Sequence, residues 1–201
     1  SLSIEPAAPA EPLLMKEPML QDYRQDAMKI IWETDGVDHD PVILWGDNLE
    51  NRVTNIRSTW INEEHIVHVG VIEGLESGQE VQYQVPVQDF EPFVFRTGPE
   101  EGDDFSIVWL GDNQEAYDRF SQHISNFAPK EPDMLFVVGD LLQFGSRFWE
   151  WDSMWWEPLQ TANLAQTTPI LAARGNHDMD HAYSYAYVDL PGDGSSYSFM
   201  Y

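Results

Sequence analysis

The sequence predicts a small β-sandwich followed by the first half of an α/β unit of βαβαβ type. Three observations predict it. From about residue 20 to 98, short alternating apolar runs are separated by Gly/Asp turns. From 104 onward the pattern changes to strand, helix, strand, helix, strand, which implies parallel strands with right-handed crossovers. Each of the three later strand-like runs ends in glycine followed by a carboxylate or an amide. The chain has 201 residues, room for one or two domains, and its 42% of hydrophobic residues suffice for a core.

In chain order, residues 1–19 read as a Pro-rich extended tether, because Pro6, Pro9, Pro12 and Pro18 favour a polyproline-like path. The sandwich is expected over 20–99. Its strands are "AMKIIWET" (Ala27–Thr34), "PVILWG" (Pro41–Gly46), "HIVHVGVI" (His65–Ile72, with Val67, Val69 and Val71 on one face), "VQYQV" (Val81–Val85) and "FVFRTGP" (Phe93–Pro99). His65 and His68 have no acidic or histidine partner at useful spacing and read as strand-face histidines. The α/β unit is expected over 103–201. Its buried strands are "FSIVWLG" (Phe105–Gly111), "PDMLFVVG" (Pro132–Gly139) and "PILAARG" (Pro169–Gly175). Gln114–Ala128 reads as a helix carrying Tyr117, Phe120, Ile124 and Phe127 on one face, and Arg147–Ala165 as helical at least to Pro158. The last residues, "YVDLPGDGSSYSFMY", look like a strand beginning.

Charge and composition exclude several functions. There are 35 acidic residues against 10 basic ones, a formal charge of -25, which argues against a nucleic-acid backbone as partner. Such a surface is solvated, and it repels anions only within a Debye length, so a local cationic site can still hold one. No apolar run is long enough for a membrane span. There is no cysteine, so any metal must be held by oxygen and imidazole. The first residue is Ser1, which reads as a processed or cut N-terminus, and a secreted, periplasmic or cell-surface location is the expectation.

The chemistry is expected at three strand ends: "LGDNQ" with Asp112, "VGDLLQ" with Asp140 and "RGNHD" with Asn176 and His177. In an open α/β sheet the carboxyl ends of neighbouring strands lie side by side, and ligands bind there. Glycine before each polar residue allows a sharp turn. A single Asp after a strand is commonly a helix N-cap. Three such words on consecutive strands point instead to a shared site. Two crowded carboxylates repel unless a divalent cation sits between them. An oxygen-rich set with an amide suits Mn, Fe, Zn or Mg. Asp140, on the middle word, is the natural bridge between two ions.

The words "GD…GD…GNHD" resemble those of the calcineurin-like metallophosphoesterases. The upstream "MKIIWET", "GLESGQEVQYQV" and "FVFRTGP" resemble the fibronectin-III-like N-terminal domain of purple acid phosphatases. The resemblance spans roughly residues 20–201. It implies a dinuclear metal centre and phosphate-ester hydrolysis, of monoesters before diesters, by a metal-activated hydroxide. Asp112 would bind one metal, Asp140 would bridge and Asn176 would bind the second. His177 would steady the phosphoryl oxygens or protonate the leaving group, with Asp178 orienting it. Gln114 stands where the family commonly has a histidine ligand, and as an amide oxygen it would be a weaker one. Gln143 stands where purple enzymes have a tyrosine, so the centre should not be purple. Val81 stands where the β domain usually has Tyr, so the tyrosine-corner bond should be absent. His181, in the loop-like "MDHAYSY", reads as a residue behind the ligands or at the surface.

The family's remaining histidine words, "xxH" and "GHxH", do not occur before Tyr201. Three situations fit: a fragment of a longer protein, a chain completed by a second polypeptide, or a degenerate non-catalytic relative. Enzymatic activity is expected of an intact assembly. The rival is a binding or structural module that keeps the metal words as remnants. In "FWEWDSMWWEP", helical spacing puts Trp151 and Trp155 on one face and Trp149 and Trp156 on another. Core packing and an aromatic patch at the site mouth are the two readings.

Overall fold

In the computed structural model, residues 10–22, 24–115, 117–178 and 181–190 are described. The expected terminal strand after Leu190 lies outside them. The strands are β1 (Leu14–Gln21), β2 (Ala27–Asp35), β3 (Ile43–Trp45), β4 (Asn51–Val53), β5 (Arg57–Trp60), β6 (His65–Glu73), β7 (Glu80–Gln84), β8 (Phe93–Arg96), β9 (Ile107–Leu110), β10 (Met134–Val138) and β11 (Ile170–Ala173). They form a seven-stranded mixed sheet, ordered β5-β6-β2-β1-β11-β10-β9, and a four-stranded antiparallel sheet, ordered β4-β3-β7-β8.

The large sheet runs across the expected boundary between sandwich and α/β unit. β1 pairs antiparallel with β2 and parallel with β11, joining the two halves at Gln21↔Ile170. Leu14–Gln21, most of it expected to be tether, is strand instead. Proline density misled the reading there, because one proline can be absorbed by an irregular ladder. The β1–β2 register shifts between Lys16 and Met19, around Pro18, which has no N–H to donate.

Alternation sorts the side chains of the large sheet to two cores. Met28, Ile30 and Trp32 of β2, with Leu20, Met134 and Leu171, pack against Ile43, Val81, Tyr83 and Phe95 of the small sheet. Ile31, Met19, Val67, Val69, Leu135, Val137 and Ile170 face the helices on the other side. The helices are α1 (Tyr117–Phe127), α2 (Phe148–Glu150), a π-helical turn (Trp151–Trp156), α3 (Glu157–Thr161), α4 (Leu164–Thr167) and α5 (Ala182–Tyr187). Among the described residues no helix is long and apolar enough to cross a membrane.

Three local expectations change. β9 is not buried: it is the sheet's edge, with Ile107 45% and Trp109 68% exposed, because apolar content cannot tell an edge strand from a central one. Of the four tryptophans from 149 to 156, Trp151, Trp155 and Trp156 are buried in the core and Trp149 is exposed. The wider π turn, rather than an α turn, brings Trp156 to the face of Trp151 and separates it from Trp149. The strand-face histidines do have partners, supplied by neighbouring elements. His65 Nδ1 lies 2.7 Å from Glu33 Oε1, and His68 stacks on Trp32 and meets the edge of His39.

Candidate functional site

β9, β10 and β11 are parallel and in register, Leu110 beside Val137 and Val138 beside Ala173, so the words that follow them emerge at one rim. The first word hooks onto the second through the Asp112 amide to the Gly139 carbonyl at 3.3 Å and the Asn113 amide to the Asp140 carbonyl at 2.8 Å. The third word reaches the second by the His177 amide donating to Asp140 Oδ1 at 3.0 Å and by the Gly145 amide donating to the His177 carbonyl at 3.0 Å. Asp140 is thus the middle member in space as well as in sequence.

The backbone is strained where the carboxylates sit. Asp112 and Asp140 have φ of 54° and 52°, in the left-handed region that non-glycine residues rarely adopt. The glycines work differently from the sequence expectation. Only Gly139 among the three has positive φ; Gly111 and Gly175 are required by close approach. A Cβ on Gly175 would lie 2.1 Å from Asp140 Oδ1 and 2.4 Å from the Asp140 nitrogen. The second and third strand ends approach closely, since a Cβ on Gly139 would lie 3.0 Å from the Gly175 Cα.

Asp112 and Asn176 are exposed and Asp140 is half-buried. Among the described residues, no three His, Cys, Asp or Glu side chains form a group able to hold a metal ion. What the rim supplies is two carboxylates flanked by amides. Several of these amide groups are buried without a partner: Gln114 Oε1, Gln143 Oε1 and Asn113 Nδ2. A buried acceptor left unpaired costs about 1–3 kcal/mol, and a cation is a partner that satisfies an acceptor-only atom. The donor set therefore fits hard or borderline divalent cations, with Asp112, Gln114, Asp140 and Asn176 as the candidate ligands on this chain.

His177 Nδ1 lies 3.0 Å from the Gln143 carbonyl oxygen. A carbonyl cannot donate, so Nδ1 carries the proton and Nε2 is the ring atom free to act. Asp178 does not orient this ring. Its carboxylate is fully buried and accepts from the Leu141 amide at 2.8 Å, the Leu142 amide at 3.2 Å and the Gly175 amide at 2.7 Å. Burial, with the Asp140 charge adding to it, pushes its carboxyl up to about 6 against the lowering effect of those three amides. It is a clamp between words, not a partner of the imidazole. His181 caps α5, its Nδ1 accepting from the Tyr183 amide at 3.3 Å, so the stretch read as loop is helical from Ala182.

Residues outside the three words complete the rim. Glu150, fully buried, accepts from the Phe144 amide at 2.7 Å, and the Trp151 indole donates to the Gly145 carbonyl at 2.8 Å. Gly145 in turn holds His177. The tryptophan-rich segment is core that braces the loop after Asp140. Glu150 inside an aromatic run was the available sequence signal. A recess of ≈ 700 Å³ lined by Lys29, Arg52 and Arg57 lies at the opposite end of the sheet, where Lys29 pairs with Gln21 and Gln21 with Ile170. It is separate from the rim.

Residues 105–200 match the model of the calcineurin-like phosphoesterases. The match covers a little under half of this chain, and the similarity to that family lies in this segment. The solved structure of a purple acid phosphatase, PPD1, isolated from yellow lupin (Lupinus luteus) seeds is similar in fold, with a TM-score of 0.64 and 20% identity over 94% of this chain and 38% of that one. PhoD is similar with a TM-score of 0.50 and 13% identity over 80% of this chain and 38% of that one. At these identities the likeness is one of fold. No curated protein matches the sequence. The chain spans about two fifths of the length of these two solved structures. The matched segment begins two residues before β9, so the three words of the rim all lie within it.

Proposed function

We propose that this chain carries the first part of a phosphoric ester hydrolase with two metal ions, acting on monoesters in preference to diesters, whose remaining donors come from outside the described residues. The observation that carries the reading is the rim itself: Asp112, Asp140 and Asn176 on three hydrogen-bonded words, beside buried amide oxygens with no partner. When bound, the cations would acidify a shared water and neutralise charge on the phosphoryl oxygens. Asp140 would bridge, its Oδ1 already held by the His177 amide. Asp112 with Gln114 would hold one ion and Asn176 the other. His177 presents Nε2, which donates to a phosphoryl or leaving-group oxygen when protonated and accepts when neutral. Asn113 Nδ2, a buried donor without an acceptor, suits the same oxygens. Asp178 contributes by fixing Leu141, Leu142 and Gly175, and so the spacing of the words.

The test is turnover of p-nitrophenyl phosphate and bis-p-nitrophenyl phosphate, with Mn²⁺ or Zn²⁺ added, by the chain and by the protein in which it occurs, before and after Asp140→Asn. Loss of metal-dependent turnover in the variant is expected. Full activity after the change refutes the site, and faster diester than monoester cleavage overturns the substrate preference. A second reading, a non-catalytic assembly module, draws on the apolar edge around β9, where Trp109 packs edge-on against Phe136 with centroids 5.0 Å apart yet stays largely exposed. No bound metal in the native protein would favour it.

A further inference from the structure

We propose that the recess of ≈ 700 Å³ at the end of the large sheet away from the rim binds a small aromatic monocarboxylate, an anion with one charge and a flat apolar body. This site shares no residue with the rim and does not depend on the metal-centre reading.

The recess is a notch where one strand stops short. β5 pairs with β6 only from Ile66 to Val69, so the outer edge of β6 from Gly70 to Glu73 has no strand beside it. Such an edge presents backbone N–H and C=O groups. Residues 54–56 cross there from β4 of the small sheet to β5 of the large one. The crossing is pinned: a Cβ on Gly70 would lie 2.5 Å from Ile56 Cδ1, so that side chain rests directly on bare glycine backbone. Trp45, Val53 and Ile56 give the recess apolar wall. Its size falls among small-molecule pockets, which span about 300–1,000 Å³.

Charge selects the ligand. Lys29, Arg52 and Arg57, three of the ten basic residues of the chain, line the recess with two carboxylates, Glu73 and Asp189. Lys29 Nζ meets Asp189 Oδ2 at 2.9 Å and donates to the Asp189 carbonyl at 2.8 Å, while Arg57 takes the other carboxylate oxygen. One carboxylate thus serves two cations. Asp22, 3.7 Å from Lys29, is shared with Arg24 at 3.6 Å. Arg52, exposed on β4, has no ion-pair partner among the described residues. Three cations against two carboxylates leave one positive charge in the recess, on a chain of formal charge -25. A carboxylate matches that excess, and the fork of Arg52 can hold it through two parallel hydrogen bonds. A phosphate dianion exceeds it and meets the repulsion of Glu73, Asp189 and the surrounding field. Trp45 is the ring partner for the apolar body of the ligand.

The experiment uses the full chain, stripped of metal with chelator, dialysed, and titrated by calorimetry with benzoate, acetate and phenyl phosphate. At pH 8 phenyl phosphate is a dianion. Benzoate should bind at least about tenfold more tightly than acetate, the effect of covering one ring, and more tightly than phenyl phosphate. Arg52→Ala should weaken benzoate about tenfold, and Arg52→Lys, which keeps the charge and loses the fork, by less. Val53→Glu, which puts a carboxylate in the wall, should weaken it as well. Asp140→Asn should leave benzoate affinity unchanged, since the rim lies elsewhere. Thermal melting shows whether each variant is folded, and Val53→Glu carries the comparison if Arg52→Ala is not. A benzoate Kd above about 10 mM overturns the assignment. So does wild-type affinity in the folded Arg52→Ala and Val53→Glu proteins, acetate or phenyl phosphate binding as tightly as benzoate, or loss of benzoate binding in Asp140→Asn.

Discussion

Asp178 Oδ1 accepts the Leu141 amide at 2.8 Å, across 37 residues of chain and without solvent. One carboxylate thereby ties the loop after β10 to the loop after β11, since its other oxygen holds the Gly175 amide. Replacing it by alanine leaves the amides of Leu141, Leu142 and Gly175 unpaired in the interior. At about 1–3 kcal/mol per buried orphan, partly relieved by water entering, Asp178→Ala should cost roughly 3–5 kcal/mol in urea unfolding. Asp178→Asn, which keeps one acceptor oxygen, should cost clearly less. Equal losses in the two variants would mean that the hydrogen bonds are not what matters there.

Gly175→Ala tests the backbone contact at the rim. The added methyl would meet Asp140 Oδ1 and the Asp140 nitrogen well inside van der Waals distance, so the second and third words must separate. A loss of about 2 kcal/mol or more is expected, together with weakened Mn²⁺ binding. Gly102→Ala is the control, because Gly102 has φ of 97° with open space around it. That variant should show a conformational cost of about 1 kcal/mol and unchanged metal binding. Matching metal affinities in the two variants would detach Gly175 from the site.

The meeting of the three words at one rim was legible because its signal is local. An apolar run, a glycine and then a carboxylate (Asp112, Asp140) or an amide (Asn176) is written within about seven residues on each of three strands. Parallel pairing then brings the three together. What sequence reading missed is contact between distant segments. Nothing near Asp178 says that its acceptors' partners are Leu141 and Leu142, and the adjacent His177 suggests a wrong one. The single Gln21↔Ile170 pairing that fuses the halves into one sheet leaves no periodicity in either strand. The exposed face of Trp109 is equally silent, since apolar alternation looks the same whether or not a layer covers it.

His68 gives the protein an acid-sensitive core. It is buried between Thr34 Oγ1 at 2.8 Å from Nε2 and Ser58 Oγ at 2.8 Å from Nδ1, both hydroxyls that serve a neutral ring. Burial, helped by the nearby His39, lowers its pKa to about 4 from 6.5. The folded state therefore binds fewer protons than the unfolded state between those values. The stabilising contribution is complete above pH 6.5, shrinks as pH falls, and is gone below pH 4. Unfolding free energy measured from pH 7 to pH 4 should fall by up to about 3 kcal/mol more in wild type than in His68→Gln. Parallel pH profiles for the two proteins would remove His68 as the cause.

Lys16 and Glu33 bind the strand-rich half to the helices. Their side chains meet at 2.8 Å in the interior, Lys16 also reaches Asp152 at 2.6 Å, and Glu33 receives His65 Nδ1 at 2.7 Å and the Tyr187 hydroxyl. Burial and the Glu33 charge push the Tyr187 hydroxyl far above its usual pKa, so it stays a donor. Lys16 lies over the Phe148 ring at 4.7 Å and is itself buried. Lys16→Met would strand a buried carboxylate, at a cost of about 3–5 kcal/mol. Lys16→Met with Glu33→Gln removes that uncompensated charge, so the double variant should be more stable than the sum of the single losses by at least about 1.5 kcal/mol. Urea unfolding of the four proteins at pH 7 measures the coupling. Additivity within about 0.5 kcal/mol would show that the two charges do not depend on each other and that this pair does not hold the halves together.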